Sequence, residues 1–178
     1  INLGVDKKVN KNIKLYGRIG SGYRYPNIDD RIGGSGGNSL SLKTQKTQDV
    51  EFGTSFLSKN FDSNISLYLI EGENELAYDT DAFENININS TRRYGIELNT
   101  KNFLNKNLIL SNSFTLSKAK YISGDQGTYA TNFKGNDVPL VPNYSLDSNL
   151  EYDFSKYTKI IFIINYQDDM RMESDDEN

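Results

Sequence analysis

Cysteine, histidine and tryptophan are all missing from these 178 residues, and only three prolines occur. Without cysteine there is no disulfide framework and no thiolate ligand for a metal, which is compatible with any compartment. Without histidine or cysteine the usual general base and thiol nucleophile are both absent, so the residues argue against an enzyme. No run of about 18 apolar residues appears, which excludes a transmembrane helix. A transmembrane barrel is left open, because its strands need an apolar residue at only every second position. A hydrophobic content of 36% is therefore no obstacle to membrane insertion. The net charge of −4 has no basic cluster against it, which speaks against a nucleic-acid partner. Nor does the opening INLGVDKKVNKN carry the basic-then-apolar pattern of a signal peptide. It reads as the end of one strand and a turn, and the chain is expected to be an internal stretch of a longer protein.

What the chain does have is a period of two. In the stretch from Ile13 to Asn27, Ile13, Leu15, Gly17, Ile19, Ser21, Tyr23 and Tyr25 alternate with Lys14, Tyr16, Arg18, Gly20, Gly22 and Arg24. Successive side chains of a strand point to opposite faces. The pattern is thus a two-faced strand, long enough to reach about 25 Å vertically at a tilt near 45°. The plan recurs at 50–56, 65–78, 93–99, 108–117, 144–152 and 160–166, giving about seven strands. Asn112 stands out as a polar residue on an apolar face, and Tyr68 and Ile70 blur the alternation of their strand.

The connections between these strands alternate in length. Pro26–Lys43, Asp79–Glu84 and Tyr121–Pro142 are long, whereas Lys59–Asn64, Lys101–Asn107 and Asp153–Lys156 are short. An up-and-down sheet with that alternation carries all its long loops at one end, as transmembrane barrels do on the outside. Tyr23, Tyr25, Tyr94, Tyr144, Tyr152 and Tyr166 fall near strand ends, where interfacial girdles belong. The expected fold is all-β, part of an antiparallel up-and-down transmembrane β-barrel with polar faces lining a wet or plugged lumen. A soluble antiparallel sheet also alternates. Its strands are usually shorter and its loops less one-sided, and in that form the chain would be a secreted or surface β-rich binding or adhesion module.

Several phrases resemble a known family. They are YGRIGSGYRYPNIDDRIG, SLSLKTQKTQDVEFGTSF, NINSTRRYGIELNT, LILSNSFTLSKAKY and GNDVPLVPNYSLDSNLEY. In order and spacing these resemble the C-terminal barrel of TonB-dependent outer-membrane receptors. The matching positions are Gly22, Tyr23, Arg24 and Pro26; Leu42, Glu51 and Gly53; Arg93, Gly95 and Glu97; Phe114 and Ala119; and Pro139 and Pro142. Thr44 and Gln45 depart from the family's Pro-Glu, and Phe114 replaces its tyrosine. Residues 1–178 would then be one partial barrel domain, with nothing resembling the plug, the energy-coupling segment or the closing strand. The resemblance implies a receptor in the outer membrane of a Gram-negative bacterium. Such a receptor takes up a scarce ligand, a siderophore–iron complex or a cobalamin-like vitamin, with energy from the TonB protein. It implies no cofactor.

Residue chemistry adds candidates of two kinds. Arg18, Arg24, Glu51, Arg93 and Glu97 are expected to face the lumen, either touching a plug or simply hydrated, since opposite charges across strands contribute only about 0.2–1 kcal/mol. Asp29, Asp30 and Arg31 in one long loop, and Tyr121, Asp125, Tyr129, Phe133 and Lys134 in another, are candidate ligand contacts. Loops held by a rigid scaffold are where binding usually lies. Asp79 and Asp81 fall short of a calcium coordination set and read as a solvated loop. The glycine-rich 33–37 segment lacks the Lys-Ser and helix of a phosphate cradle.

Overall fold

The computed structural model describes residues 1–32, 40–79, 83–123 and 134–172. Eight strands form one sheet: β1 (Asn2–Lys8), β2 (Ile13–Arg24), β3 (Gln45–Leu57), β4 (Phe61–Asp79), β5 (Glu84–Asn105), β6 (Leu108–Tyr121), β7 (Tyr144–Ser155) and β8 (Thr158–Gln167). They lie side by side in chain order, each antiparallel to the next. The only helix among the described residues is α1 (Ile28–Ile32), far too short to cross a membrane. The sheet does not close on itself, as befits a section of a barrel.

All seven expected strands are present, and the opening segment pairs with β2 as an eighth. Several boundaries differ from the periodicity reading: Lys101–Asn105 and Asp153–Ser155, expected in turns, end β5 and β7, and β3 begins already at Gln45. Residues 61–64 belong to β4 rather than to a turn, and β5 begins at Glu84 rather than near Arg93. The run ENININST does alternate, Ile86 and Ile88 falling between Asn85, Asn87 and Asn89, but two apolar positions are too few for the periodicity to mark it as a strand. In place of a long 79–84 loop there is a hairpin whose arms run past the neighbouring strands. Its last five described residue pairs, from Glu75↔Ile88 to Asp79↔Glu84, extend it by about 17 Å at about 3.4 Å per residue. The long connections and this hairpin still share one end of the sheet. The short turns lie at the other.

Register turns the sequence period into two faces. Tyr16, Gly53, Ser66, Glu97, Thr115 and Ser145 stand opposite one another in a row across β2 to β7. One residue further along the strands the row reads Gly17, Phe52, Leu67, Ile96, Leu116 and Tyr144. Both hollows described below open on the polar face, so the polar face is concave and the apolar face convex.

The described residues form no central apolar core. Among the described residues the buried hydrophobic side chains are Leu42, Ile88, Ala119 and Tyr121, all toward the long-loop end. Phe52 is 56% exposed and Leu67 52% exposed in the middle of the convex face. A contiguous apolar surface of this kind marks contact with lipid or protein. Aromatic pairs bracket it. On the convex face the rings of Tyr144 and Tyr166 stack at 5.8 Å toward the long-loop end, while Phe56–Phe61 at 6.1 Å and Tyr152–Phe154 at 6.3 Å sit near the short turns.

Two departures from strict alternation have different consequences. In β8, Ile160, Ile161, Phe162, Ile163 and Ile164 follow one another, so Ile161 and Ile163 bring apolar side chains to the concave face. On the convex face, Asn112 is not isolated. Its Nδ2 donates to Thr100 Oγ1 at 3.2 Å and its Oδ1 accepts from Ser148 Oγ at 2.8 Å, forming a ladder across β5, β6 and β7. Each member satisfies a neighbour where hydrocarbon would offer nothing.

Two substitutions check these assignments in folding titrations of a full-length receptor. Leu98→Arg, on the convex face, is expected to destabilise by about 2–4 kcal/mol, and Asn99→Arg, on the concave face, by far less. Asn112→Ala strands the Thr100 and Ser148 hydroxyls and is expected to cost about 1–3 kcal/mol.

Candidate functional site

Beneath the long-loop end, the concave face carries a hollow of about 390 Å³. Arg18 from β2, Glu51 from β3, Tyr68 from β4 and Arg93 and Glu97 from β5 contribute to its wall, and Val141 of the β6–β7 connection lies over it. Four of the five residues expected to face the lumen therefore meet in one place. Arg18 stands directly opposite Glu51 across β2 and β3, and its guanidinium reaches the carboxylates of Glu51 at 3.1 Å and Asp49 at 3.4 Å. Arg93 pairs with Glu75 at 2.8 Å and also donates to Thr91 Oγ1 at 3.0 Å, while the Thr91 hydroxyl donates to Glu75 at 2.7 Å. Thr91 is fully buried. Asn74, just before Glu75, takes the left-handed backbone conformation with φ 52°. Asparagine tolerates that region better than most residues.

Glycines make room for Tyr68 in this wall and for Tyr16 elsewhere on the same face. A Cβ on Gly95 would lie 2.7 Å from Tyr68 Oη, and one on Gly53 would lie 2.5 Å from Tyr16 Oη. Each ring therefore lies across the bare backbone of the neighbouring strand. Tyr16 Oη also contacts Glu51 at 3.1 Å and Asn64 at 3.2 Å. The Arg-x-Gly-x-Glu phrase at 93–97 thus has a local physical meaning: two charges face the hollow on either side of a residue with no side chain to obstruct Tyr68.

Arg24 does not join this group. It lies at the outer end of β2 and donates to both carboxylate oxygens of Asp30, at 2.8 and 3.1 Å. Asp30 is further engaged by a reciprocal cap on α1. Its Oδ2 accepts the Asn27 amide at 2.9 Å, and the Asp30 amide donates to Asn27 Oδ1 at 2.7 Å. Arg31 donates to the carbonyls of Leu40 at 2.7 Å and Leu42 at 3.4 Å. Asn85 holds the Asp30 carbonyl, and Asn87 bonds the Lys43 backbone in both directions. The β2–β3 connection is thereby fastened to the β4–β5 hairpin, with Leu42 and Ile88 buried. Asp30 and Arg31 are occupied in holding their own loop, and only Asp29 of that trio is exposed.

In the other long connection Tyr121 is buried and Lys134 is exposed. Asp125, Tyr129, Phe133 and Asp81 lie outside the described residues. What sequence reasoning missed is the part played by Tyr68, Glu75 and Thr91. Tyr68 had registered only as a flaw in the alternation, although the tyrosine-opposite-glycine pairing was there to be read.

Comparison with known proteins decides the family. The model for the family described as TonB dependent receptor-like, beta-barrel matches residues 2–177. The chain belongs to that family. No curated protein sequence matches the chain. Among solved structures, the siderophore receptor PirA from Pseudomonas aeruginosa superposes with a TM-score of 0.68 at 16% identity, covering 93% of this chain and 34% of that one. The ferric yersiniabactin uptake receptor FyuA from Yersinia pestis gives 0.66 at 15% identity, covering 92% and 24%. The copper transporter OprC gives 0.67 at 16% identity, covering 85% and 23%. The chain therefore spans 23–34% of the length of these three proteins, and the likeness is one of fold. The family is one of transport receptors rather than enzymes.

Gly95→Ala tests the packing of the hollow. The new methyl group would press on Tyr68 and on the Leu116 carbonyl, and is expected to destabilise by about 1–3 kcal/mol in a folding titration, with Gly4→Ala, where a Cβ meets nothing nearer than 3.7 Å, as the mild control.

Proposed function

We propose that this chain is barrel wall from an outer-membrane receptor that captures a scarce ligand at its long-loop end and passes it inward with energy from the TonB system. The observation that carries this reading is the placement of the charged hollow directly beneath the long connections, on the concave side of a sheet whose convex side is apolar. A siderophore–iron complex or a cobalamin-like vitamin is the ligand class we favour. Receptors with this fold include proteins named for siderophore and ferric yersiniabactin uptake. The membrane partner is outer-membrane lipid. The TonB protein would act through a region outside this chain.

The long loops divide between two tasks in this reading. The β2–β3 connection is a brace, since Arg24, Asp30 and Arg31 are engaged in internal bonds. The β6–β7 connection is the recognition loop, with Asp125, Tyr129, Phe133 and Lys134 as contact candidates, and Asp29 is a further candidate on the β2–β3 connection. A soluble binding or adhesion module is disfavoured by the exposed Phe52, Leu67 and Phe162 on the convex face, which such a module would have to cover.

Removal of residues 124–134 tests the assignment in a full-length receptor, with binding read on a panel of catecholate, hydroxamate and citrate iron chelates and on cobalamin. Affinity for the bound member is expected to fall at least about tenfold while barrel insertion stays normal, because no spanning strand is altered. Unchanged affinity with normal insertion would take recognition away from this loop.

A further inference from the structure

The four short connections share one plan that the reading above does not use. Between β1 and β2, β3 and β4, β5 and β6, and β7 and β8 the chain turns on Asn10-Lys11, Ser58-Lys59, Asn105-Lys106 and Ser155-Lys156. In each, the first side chain closes the turn onto the backbone. Asn10 Oδ1 accepts the Asn12 and Ile13 amides at 2.8 and 3.0 Å, and Ser58 Oγ accepts the Phe61 amide at 3.1 Å. Asn105 Oδ1 accepts the Asn107 amide at 2.8 Å, and Ser155 Oγ accepts the Tyr157 amide at 3.2 Å. Asparagine and serine are favoured in turns for that reason. Turn geometry makes no such demand for lysine, yet lysine follows in every case. All four lysines are exposed, and none forms an ion pair among the described residues. The acidic groups of this end are turned elsewhere. Asp6 stands opposite Tyr16 in the concave row, and Asp62 lines, with Lys101 and Asp147, a hollow of about 540 Å³ on the concave face. Glu151 and Asp153 are engaged by Lys159 at 2.9 and 3.7 Å.

We propose that Lys11, Lys59, Lys106 and Lys156 form a rim that binds the phosphates of anionic phospholipids, of the phosphatidylglycerol kind, in the leaflet on the short-turn side. The inference rests on the barrel-wall reading and names the headgroup chemistry that this end selects. The rim continues the apolar convex face, whose Phe56–Phe61 and Tyr152–Phe154 ring pairs lie just inside the turns. Lys156 Nζ stands 5.4 Å from the ring centre of Tyr157, which is 88% exposed, so charge and apolar surface meet at the same edge. A lipid whose chains lie on the convex face brings its phosphate to the level of the turns. An ammonium on a flexible stem can reach that phosphate and donate a charge-assisted hydrogen bond. Successive turns are two strands apart, about 10 Å along the sheet, which is about one Debye length at 0.1 M salt. Their fields therefore overlap, and basic residues near a membrane surface add in attracting anionic lipid. A zwitterionic headgroup carries its own cation, which competes with the lysines. The rival occupant of the rim is an acidic protein.

Photolabelling of a full-length receptor separates the two. The receptor is reconstituted in phosphatidylethanolamine vesicles with a trace of phosphatidylglycerol or of phosphatidylcholine, each carrying a diazirine on its headgroup, and adducts are mapped by peptide mass spectrometry. Residues 9–12, 58–60, 105–107 and 155–157 are expected to take at least about fivefold more label from the phosphatidylglycerol. That preference is expected to shrink at about 1 M salt, where the screening length is only about 3 Å. Lys11→Gln, Lys59→Gln, Lys106→Gln and Lys156→Gln made together are expected to abolish it, whereas arginine at the same four positions keeps it. Equal labelling by the two lipids, or a preference that survives the four glutamines, would overturn the proposal and leave the rim to an acidic protein. The comparison of lipids uses the unaltered receptor and decides the question without any variant. A diazirine moved to the acyl chain tests the underlying reading separately. Chain label that fails to reach Phe52, Leu67 and Phe162 would count against the membrane assignment itself. Chain label found there, with no headgroup preference at the turns, would count against the lysine rim alone.

Discussion

A backbone amide in hydrocarbon has no water to bond with, and each unsatisfied group there costs several kcal/mol. That constraint organises this chain more than any packing of side chains does. Each of the eight strands is laddered to its neighbour in chain order, and the longest of them, β5, is paired on both sides over most of the span that faces the convex apolar surface. Where side chains of polar character do reach that surface, as at Thr100, Asn112 and Ser148, they bond one another. A soluble sheet hides one face on a core. This one leaves both faces open among its described residues, one apolar and one polar.

The same alternation generates function. Because the side-chain period is two, every residue that gives the convex face its apolar character places its chain neighbour on the concave face. Ile96 and Leu98 thus bring Glu97 inward, and Val50 and Phe52 bring Glu51 inward. The concave wall then divides along its height. Arginine–carboxylate pairs and Tyr68 laid over Gly95 occupy the outer part, and serines and asparagines together with Asp62, Lys101 and Asp147 occupy the part nearer the short turns. The bracing of the β2–β3 connection through Arg24, Asp30 and Asn85 gives the mouth a fixed rim on that side.

Much of this was legible in the sequence because the physics is local. The facing of β2, β3, β5 and β7 follows from reading every second residue, and the one-ended long loops follow from counting between strands. Legibility failed where another interaction outweighed the pattern. The arms of the β4–β5 hairpin are held by backbone pairing, and the alternation of Ile86 and Ile88 with asparagines is too short and too polar to stand out, so ENININST looked like loop. Charge in a loop is ambiguous until its partners are known, and the sequence did not show that Asp30 and Arg31 bond internally to Arg24, Asn27, Leu40 and Leu42. Tyr121 was an aromatic at a strand end, but it is buried where an interfacial or ligand-contacting ring would be exposed. Asn112 looked like a flaw, and its acceptor and donor sit on the two flanking strands.

The central claim is that the apolar face of this sheet meets lipid and the polar face meets the lumen. It is tested most directly by spin labels placed one at a time along β5 from Arg93 to Leu104 in a full-length receptor in outer-membrane lipid, with collisional access measured for oxygen and for a polar nickel chelate. The account predicts oxygen access peaking at Tyr94, Ile96 and Leu98 and polar access peaking at Arg93, Gly95, Glu97 and Asn99, the two out of phase with a period of two. Access to the two reagents that rises and falls in phase, or that shows no alternation, would contradict it.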